Sequence, residues 1–160
     1  MQWSLLATLL HVVVAVIFMT GVIGRWILLI RAARAEEVET SFLLTQAASP
    51  FERLVILFSQ LVLPTGLLAA WARGYPWIGF GTPWIVLAIV LSLSVLPLVY
   101  FVLVPRGKVF EAAMNDARQR GSWTAELRAA FADPVVALAR RWELVAVALV
   151  LTLMVLKPSF

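Results

Sequence analysis

The stretch MQWSLLATLLHVVVAVIFMTGVIG, residues 1–24, contains no Asp, Glu, Lys or Arg. Because a helix needs about 20 apolar residues to cross a hydrocarbon core of roughly 30 Å, this stretch predicts a transmembrane helix. Three further uncharged stretches follow, at Leu54–Ala72, Trp84–Val104 and Leu144–Leu156. The last is too short alone and needs the residues from Pro134 onward. The pattern predicts an all-α integral membrane bundle of four transmembrane helices, with spans at about residues 3–30, 50–72, 83–104 and 134–156.

The composition supports one membrane domain over residues 1–160, with the lipid bilayer as its surroundings. Charged residues make up 14% and the mean hydropathy is +0.95, whereas an ordinary soluble domain has about 25% charged residues. The net charge of +4 is small and the basic residues flank the spans, so we expect no nucleic-acid partner. Without Cys, and with a single His, the chain offers no thiolate or multi-histidine metal site.

Local signals place the helix boundaries. The start, Met1–Ser4, lacks the positive charge of a secretory signal, so we expect the first helix to be retained. The sequence Ser49-Pro50-Phe51-Glu52 is a capping box that predicts the start of the second span after a polar loop over residues 31–49. Pro64 and Pro97 predict bends. We expect a short amphipathic helix over Lys108–Arg120, another over about 123–131, and a last helix starting at Asp133-Pro134.

The basic residues predict the orientation. Arg73 and Lys157 lie at the ends of spans that share one side of the membrane, and the other eleven of the 13 Lys and Arg residues lie on the opposite side. Both long loops should therefore be cytoplasmic and both termini periplasmic, in a bacterial inner membrane. On the periplasmic side we expect an aromatic belt of Trp3, Trp71, Tyr75, Trp77 and Trp84.

An intramembrane polar cluster is predicted around His11, about 12 Å below the start of the first span. The same depth along the other helices reaches Thr65 and Ser92. Ala7 and Ala15, one turn to either side of His11, leave room for a partner helix or a flat ligand. Three interpretations stay open: a histidine that hydrogen-bonds between helices, a metal or haem ligand, and a proton relay.

A second set of candidates lies at the cytoplasmic end of the spans and comprises Arg25, Arg53, Arg140 and Arg141. Glu52 and Glu143 are available as partners, and Arg140 is three residues from Glu143, a spacing that allows pairing on one helix face. The four arginines either extend toward anionic lipid or form a pocket for an anionic ligand, because guanidinium groups bind phosphate and carboxylate.

Several segments resemble an uncharacterised family of bacterial integral membrane proteins. They are Leu10–Val12, Gly21–Arg25, Val104–Lys108, Asp133-Pro134 and Leu153–Pro158. That family is similar to the four-helix proteins related to the copper-resistance D membrane domain, a group that includes the HemJ-type protoporphyrinogen oxidases. In those oxidases a first-span histidine binds haem, so the resemblance implies haem as a cofactor and His11 as its ligand. The lysine that the oxidase pattern carries within a span is missing here.

Three classes of function follow. The leading expectation is a membrane protein that acts by lateral association, as an accessory subunit of a larger complex with other membrane proteins, because no catalytic constellation is visible. Its expected docking surfaces are Lys108–Arg120 and the aromatic turn Trp71–Trp84, and mid-span Gln60 is expected to hydrogen-bond between helices. The alternatives are a haem- or porphyrin-binding protein that uses His11, and a small transporter.

Overall fold

The computed structural model describes residues 2–75 and 82–158, and all regular structure in those ranges is helical. The helices are α1 (Gln2–Ala33), α2 (Val38–Ala72), α3 (Pro83–Leu98), α4 (Val104–Arg120), α5 (Ala125–Phe131) and α6 (Pro134–Leu156). A π-helical segment, Val99–Leu103, joins α3 to α4 without a break and follows Pro97 closely. The prediction of an all-α chain is confirmed.

Three of the described helical stretches are long and apolar enough to cross a bilayer: α1, α2 and the continuous helix Pro83–Arg120. The 23 residues of α6 would also reach across. However, α6 carries Arg140, Arg141 and Glu143 in its first half. The fourth span therefore stays a prediction.

The helices α1 and α2 form a closely packed pair because α1 presents small residues to α2. A Cβ added to Gly21 would lie 3.0 Å from the carbonyl oxygen of Phe51, and one added to Gly24 would overlap the Phe51 ring. Small residues allow helix backbones to approach closely in a membrane, where apolar burial gives no drive for association. These two glycines, which are three residues apart, therefore fix the contact between α1 and α2.

The predicted start of the second helix at Ser49–Glu52 is wrong. The helix α2 begins at Val38 and continues through Pro50, and only residues 34–37 separate it from α1. The first turns of α2 are held by distant contacts, since buried Val38 and half-buried Phe42 pack against α4 and α5. Packing of an apolar face stabilises a helix more than a local capping signal does. The predicted polar loop is therefore largely helical.

The start of α2 packs with α4 and α5 and forms a small lobe. This lobe lies at one end of the bundle, which we call the loop end. Its core contains Val38, Met114, Ala117 and Leu127, with Phe110 and Phe131 in edge-to-face contact at 4.8 Å. Arg118 pairs with Glu39 and lies over the Phe42 ring. The residues Lys108–Arg120 fall within α4, and their apolar face packs inside this lobe.

The predicted start of the last helix at Asp133-Pro134 is confirmed. The Asp133 carboxylate accepts hydrogen bonds from the backbone N–H groups of Val135 and Val136 and pairs with Arg106. Desolvation raises the pKa of this carboxyl, but the hydrogen bonds from Arg106, Val136 and Val135 outweigh it, so its pKa lies below the usual value. Cap and ion pair together fix where the chain enters α6.

Candidate functional site

The bundle consists of two helix pairs, α1 with α2 and α3 with α6, and the close packing lies within each pair. Two cavities lie between the pairs. The loop-side cavity, of about 230 Å³, extends from His11 to Arg25 and Glu143. The terminal-side cavity, of about 240 Å³, extends from His11 toward Arg73 and Lys157, near both chain termini. His11 and Ser92 line both cavities, so the two are neighbours at the depth of His11.

The imidazole of His11 has a fixed orientation. Its Nδ1 lies 3.2 Å from the Thr65 hydroxyl oxygen. That hydroxyl donates its single proton to the Leu61 carbonyl oxygen at 2.7 Å, with the Val62 carbonyl oxygen 3.2 Å away. Because the Thr65 proton has backbone acceptors within α2, we infer that His11 Nδ1–H is the donor in this contact and the Thr65 hydroxyl oxygen the acceptor. A neutral His11 therefore carries its lone pair on Nε2.

This Nε2 atom is buried and has no hydrogen-bond partner among the residues that the structure describes. His11 as a whole is 8% exposed and lines both cavities. A buried polar atom without a partner costs about 1–3 kcal/mol. Such an atom is uncommon in a folded protein and calls for a structural or functional explanation.

The space around the imidazole depends on small neighbours. A Cβ added to Gly66 would lie 3.0 Å from His11 Cε1, so glycine at this position lets the ring lie against α2. Ala15 lines the loop-side cavity, and Ala7 is buried on the same side of α1. The walls are otherwise mostly aliphatic, which suits an apolar ligand with one polar centre.

The structure brings together two members of the predicted polar cluster and places the third nearby. His11 and Thr65 form a hydrogen bond, as described above. Ser92 lies in the wall of both cavities, but its hydroxyl donates to the Ala88 carbonyl oxygen at 2.7 Å within α3. Its oxygen keeps lone pairs that would accept a hydrogen bond from a ligand.

A buried ion pair closes the loop-side cavity. Arg25 of α1 donates to the Glu143 carboxylate of α6 at 2.5 Å, and the two residues are 9% and 2% exposed. The pairing of Glu143 with Arg140, expected from their spacing, is replaced by this contact because Glu143 points across the bundle toward α1. The ion pair links one helix pair to the other.

The other predicted arginines do not line the cavities. Arg53 and Arg141 are exposed at the loop end, whereas Arg140 is half-buried. Arg140 lies within electrostatic range of Arg25, Glu52 and Glu143. Arg25 is therefore the one member of the predicted set that reaches the cavity wall, and its charge is already balanced by Glu143.

Arg73 and Lys157 line the terminal-side cavity, at the end of the bundle opposite the loop end, which we call the terminal end. Their positions in the sequence predicted only the orientation of the spans and did not identify them as site residues. Arg73 Nε donates to the Thr8 hydroxyl oxygen at 2.9 Å, and Lys157 Nζ lies 6.0 Å from the centre of the Tyr75 ring. The Tyr75 and Trp84 rings meet edge to face at 5.5 Å. All but one of the predicted belt residues lie within the described ranges, and Trp77 lies outside them.

The described residues contain no group of three or more His, Cys, Asp or Glu side chains that could hold a metal ion. The arrangement instead offers one neutral imidazole nitrogen in an apolar cavity, with cations at one end and a balanced ion pair at the other.

Comparison with known proteins identifies the family. A family model described as "Predicted integral membrane protein (DUF2269)" matches residues 5–158. Neither a curated protein nor a solved structure matches the chain. The chain belongs to this family, whose description gives a membrane location and leaves the role to be argued from the site.

Proposed function

We propose that this member of the integral membrane family is a binding protein for an apolar ligand, which it holds within the bilayer between its two helix pairs. The observation that carries the proposal is His11, which lines both cavities and whose buried Nε2 has no partner in the described residues. The ligand's polar centre would bind at Nε2. Each cavity is somewhat smaller than the roughly 300–1,000 Å³ of typical ligand pockets, so a larger ligand would have to occupy both.

Haem or another metalloporphyrin is the ligand that suits this nitrogen best. Neutral imidazole is a common axial ligand of haem iron, and the Thr65 hydroxyl holds the opposite ring nitrogen, as the partners of metal-binding histidines usually do. With one His in the chain, His11 would supply a single axial ligand. A bound haem would add a redox centre to a chain that lacks one.

The absorption spectrum of the protein tests this proposal. Protein extracted in mild detergent from haem-replete cells should show a Soret band, or should acquire one when haemin is added. A preparation that stays without a Soret band under both conditions would exclude haem as the ligand.

A second function, lateral association with another membrane subunit, is favoured by an exposed polar pair. Gln60 lies in the middle of α2, is exposed, and donates to the hydroxyl of exposed Tyr100 at 3.4 Å. Both residues also line the loop-side cavity, so the pair lies where that cavity reaches the exposed surface of the bundle. Polar side chains that face lipid are costly, and glutamine often hydrogen-bonds between helices in a membrane. We infer that a partner helix docks at this edge, where α2 approaches the π-helical segment. The predicted surfaces Trp71–Trp84, of which residues 76–81 lie outside the described ranges, and Lys108–Arg120 remain further candidates.

Replacing Gln60 with Leu should weaken that association, because it removes the polar contact without removing apolar surface. We expect the wild-type protein to migrate as a larger assembly in mild detergent and Gln60→Leu to shift toward the free chain. Leu57→Ala, at an exposed apolar position on the same helix, is the control and should leave the assembly intact. A wild-type chain that is free in every mild detergent would contradict the association.

We also propose that α6 forms a fourth span and that both termini are periplasmic in a bacterial inner membrane. The distribution of Lys and Arg supports this orientation, since only Arg73 and Lys157 belong to the terminal end. A reporter that is active only in the periplasm should be active when fused after Phe160. Activity only when it is inserted near Arg120 would show the opposite orientation.

A further inference from the structure

We propose that the ligand is an anionic amphiphile, whose carboxylate or phosphate group binds between Arg73 and Lys157 while its apolar body extends past His11. This inference rests on the proposed binding site at His11 and adds the chemistry of the ligand's other end. It places the charged group at the terminal end of the bundle and the apolar part between the helix pairs.

The first argument is that both cations line the terminal-side cavity with unused hydrogen-bonding capacity. Arg73 uses Nε on Thr8, which leaves its two terminal nitrogens for another acceptor. Neither Arg73 nor Lys157 forms an ion pair with any described residue. A guanidinium and an ammonium group at one cavity mouth are a suitable pair of donors for a carboxylate or phosphate.

The second argument is that the chain has no side-chain carboxylate near these cations. All nine Asp and Glu residues lie within residues 36–143 and belong to the loop end. Along the helices, Glu52 is about 32 Å from Arg73 and Glu143 is about 21 Å from Lys157. No Asp or Glu side chain can therefore pair with Arg73 or Lys157, and both exposed cations are available to a ligand anion.

The third argument is that the end of α6 places Lys157 at the cavity. Lys157 has φ 44° and ψ 55°, and its N–H donates to the Leu153 carbonyl oxygen, so a non-glycine residue ends α6 in the left-handed conformation. This conformation is unfavourable for a side chain with a Cβ. Here it ends α6 with the lysine at the cavity, next to the Tyr75 ring.

The distances suit a single ligand that contacts His11 and the cations together. Thr8, to which Arg73 is hydrogen-bonded, lies one helical turn before His11, or about 5 Å along α1. Arg25, in contrast, is about 21 Å from His11 along the same helix and already pairs with Glu143. The anionic group should therefore bind at the terminal end, and not at the arginines of the loop end. Tyr75 and Trp84 provide an aromatic wall beside it.

Two ligand sources share this chemistry: a porphyrin with propionate groups, and a lipid with an anionic head group. Titrations of the purified chain in neutral detergent distinguish them. The probes are haemin, haemin dimethyl ester, which has no free carboxylate, and palmitate. The variants are wild type, Arg73→Gln/Lys157→Gln and the charge-preserving Arg73→Lys. Arg53→Gln/Arg141→Gln is the control, because it removes two exposed cations at the loop end. Circular dichroism and melting curves confirm that each variant is folded.

For a porphyrin ligand we expect haemin to bind wild type at least 10-fold more tightly than its dimethyl ester does. The terminal-end double variant should lose that preference, while Arg73→Lys and the loop-end control keep most of it. If haemin and its dimethyl ester bind with equal affinity, and the terminal-end double variant changes neither affinity, the proposed anionic contact is overturned. The proposed binding site at His11 is then still supported. If only palmitate binds, and the double variant loses it, the anionic amphiphile is supported and haem is excluded. If no probe binds, both proposals fail.

Discussion

Replacing His11 with Ala is expected to remove the Soret band of the ligand-bound protein, or to weaken haemin binding by a factor of 100 or more, while the fold is retained. In the proposed site the imidazole would supply the nitrogen that binds the iron, and no other residue of the chain offers an equivalent one, because His11 is the single histidine. The fold should survive because the buried Nε2, which has no partner in the described residues, opposes folding by about 1–3 kcal/mol in the free protein. The comparison needs the absorption spectrum, a haemin titration and a melting curve for each variant.

Thr65→Val is the matched variant for His11→Ala. It keeps the size of the side chain but removes the acceptor that orients Nδ1–H, and the loss of such a partner typically weakens metal affinity by about 10–100-fold. Thr152→Val serves as the control, since the Thr152 hydroxyl donates to the Ala148 carbonyl oxygen of its own helix and Thr152 lines neither cavity. Unchanged haemin binding in His11→Ala would show that the ligand does not bind at Nε2.

Removing one member of the Arg25–Glu143 pair should have the largest effect on stability. A buried charge left without its partner costs about 3–5 kcal/mol, whereas replacing both charges with apolar groups is often close to neutral. We therefore expect Arg25→Met and Glu143→Met each to lower the Tm in detergent by on the order of 10 °C. The double variant should recover most of that loss. Thermal unfolding followed by circular dichroism measures the three values.

Arg53→Met is the control for this series, because Arg53 is exposed at the same end of the bundle and should change the Tm little. If the double variant is as unstable as the single ones, the pair contributes through contacts other than its balance of charge. If all three variants match wild type, the ion pair does not hold the two helix pairs together.

The membrane-spanning character and one helix start could be predicted from local sequence, whereas the start of α2 could not. The absence of charge over residues 1–24 marks a span by itself, and Asp133 caps α6 with hydrogen bonds to residues two and three positions away. Ser49–Glu52 carries an equally good local signal for a helix start, but α2 begins earlier, at Val38. Whether Val38 is helical depends on Met114 and Leu127, which are far along the chain.

The candidate site also has features that could be predicted from the sequence and features that could not. Counting depth along the helices predicted the approach of His11 to Thr65, because straight helices at similar depth bring such residues to one level. The direction of that hydrogen bond, and the Nε2 left without a partner, follow from the contact between Thr65 and Leu61 next to Pro64. The pairing of Glu143 with Arg25 depends on how α6 lies against α1.

The role of Arg73 and Lys157 also required the tertiary structure. Each is an ordinary basic residue at the end of a span, and 84 positions separate them in the sequence. Only the arrangement of the two helix pairs places both at one cavity with His11. The sequence alone shows that no acidic residues lie near these cations along the chain, but it does not show the cavity that both cations line.

The central claim is that His11 Nε2 is the atom that binds the ligand, and nitrogen NMR of the single histidine tests it most directly. Labelling with ¹⁵N-histidine gives signals from His11 alone, since the chain has no other histidine. The structure predicts a ring protonated at Nδ1 and bare at Nε2 without ligand, and a large change of the Nε2 signal when haemin or its diamagnetic zinc analogue is added. A ring protonated at Nε2, or an Nε2 signal that stays the same at saturating ligand, would contradict the claim.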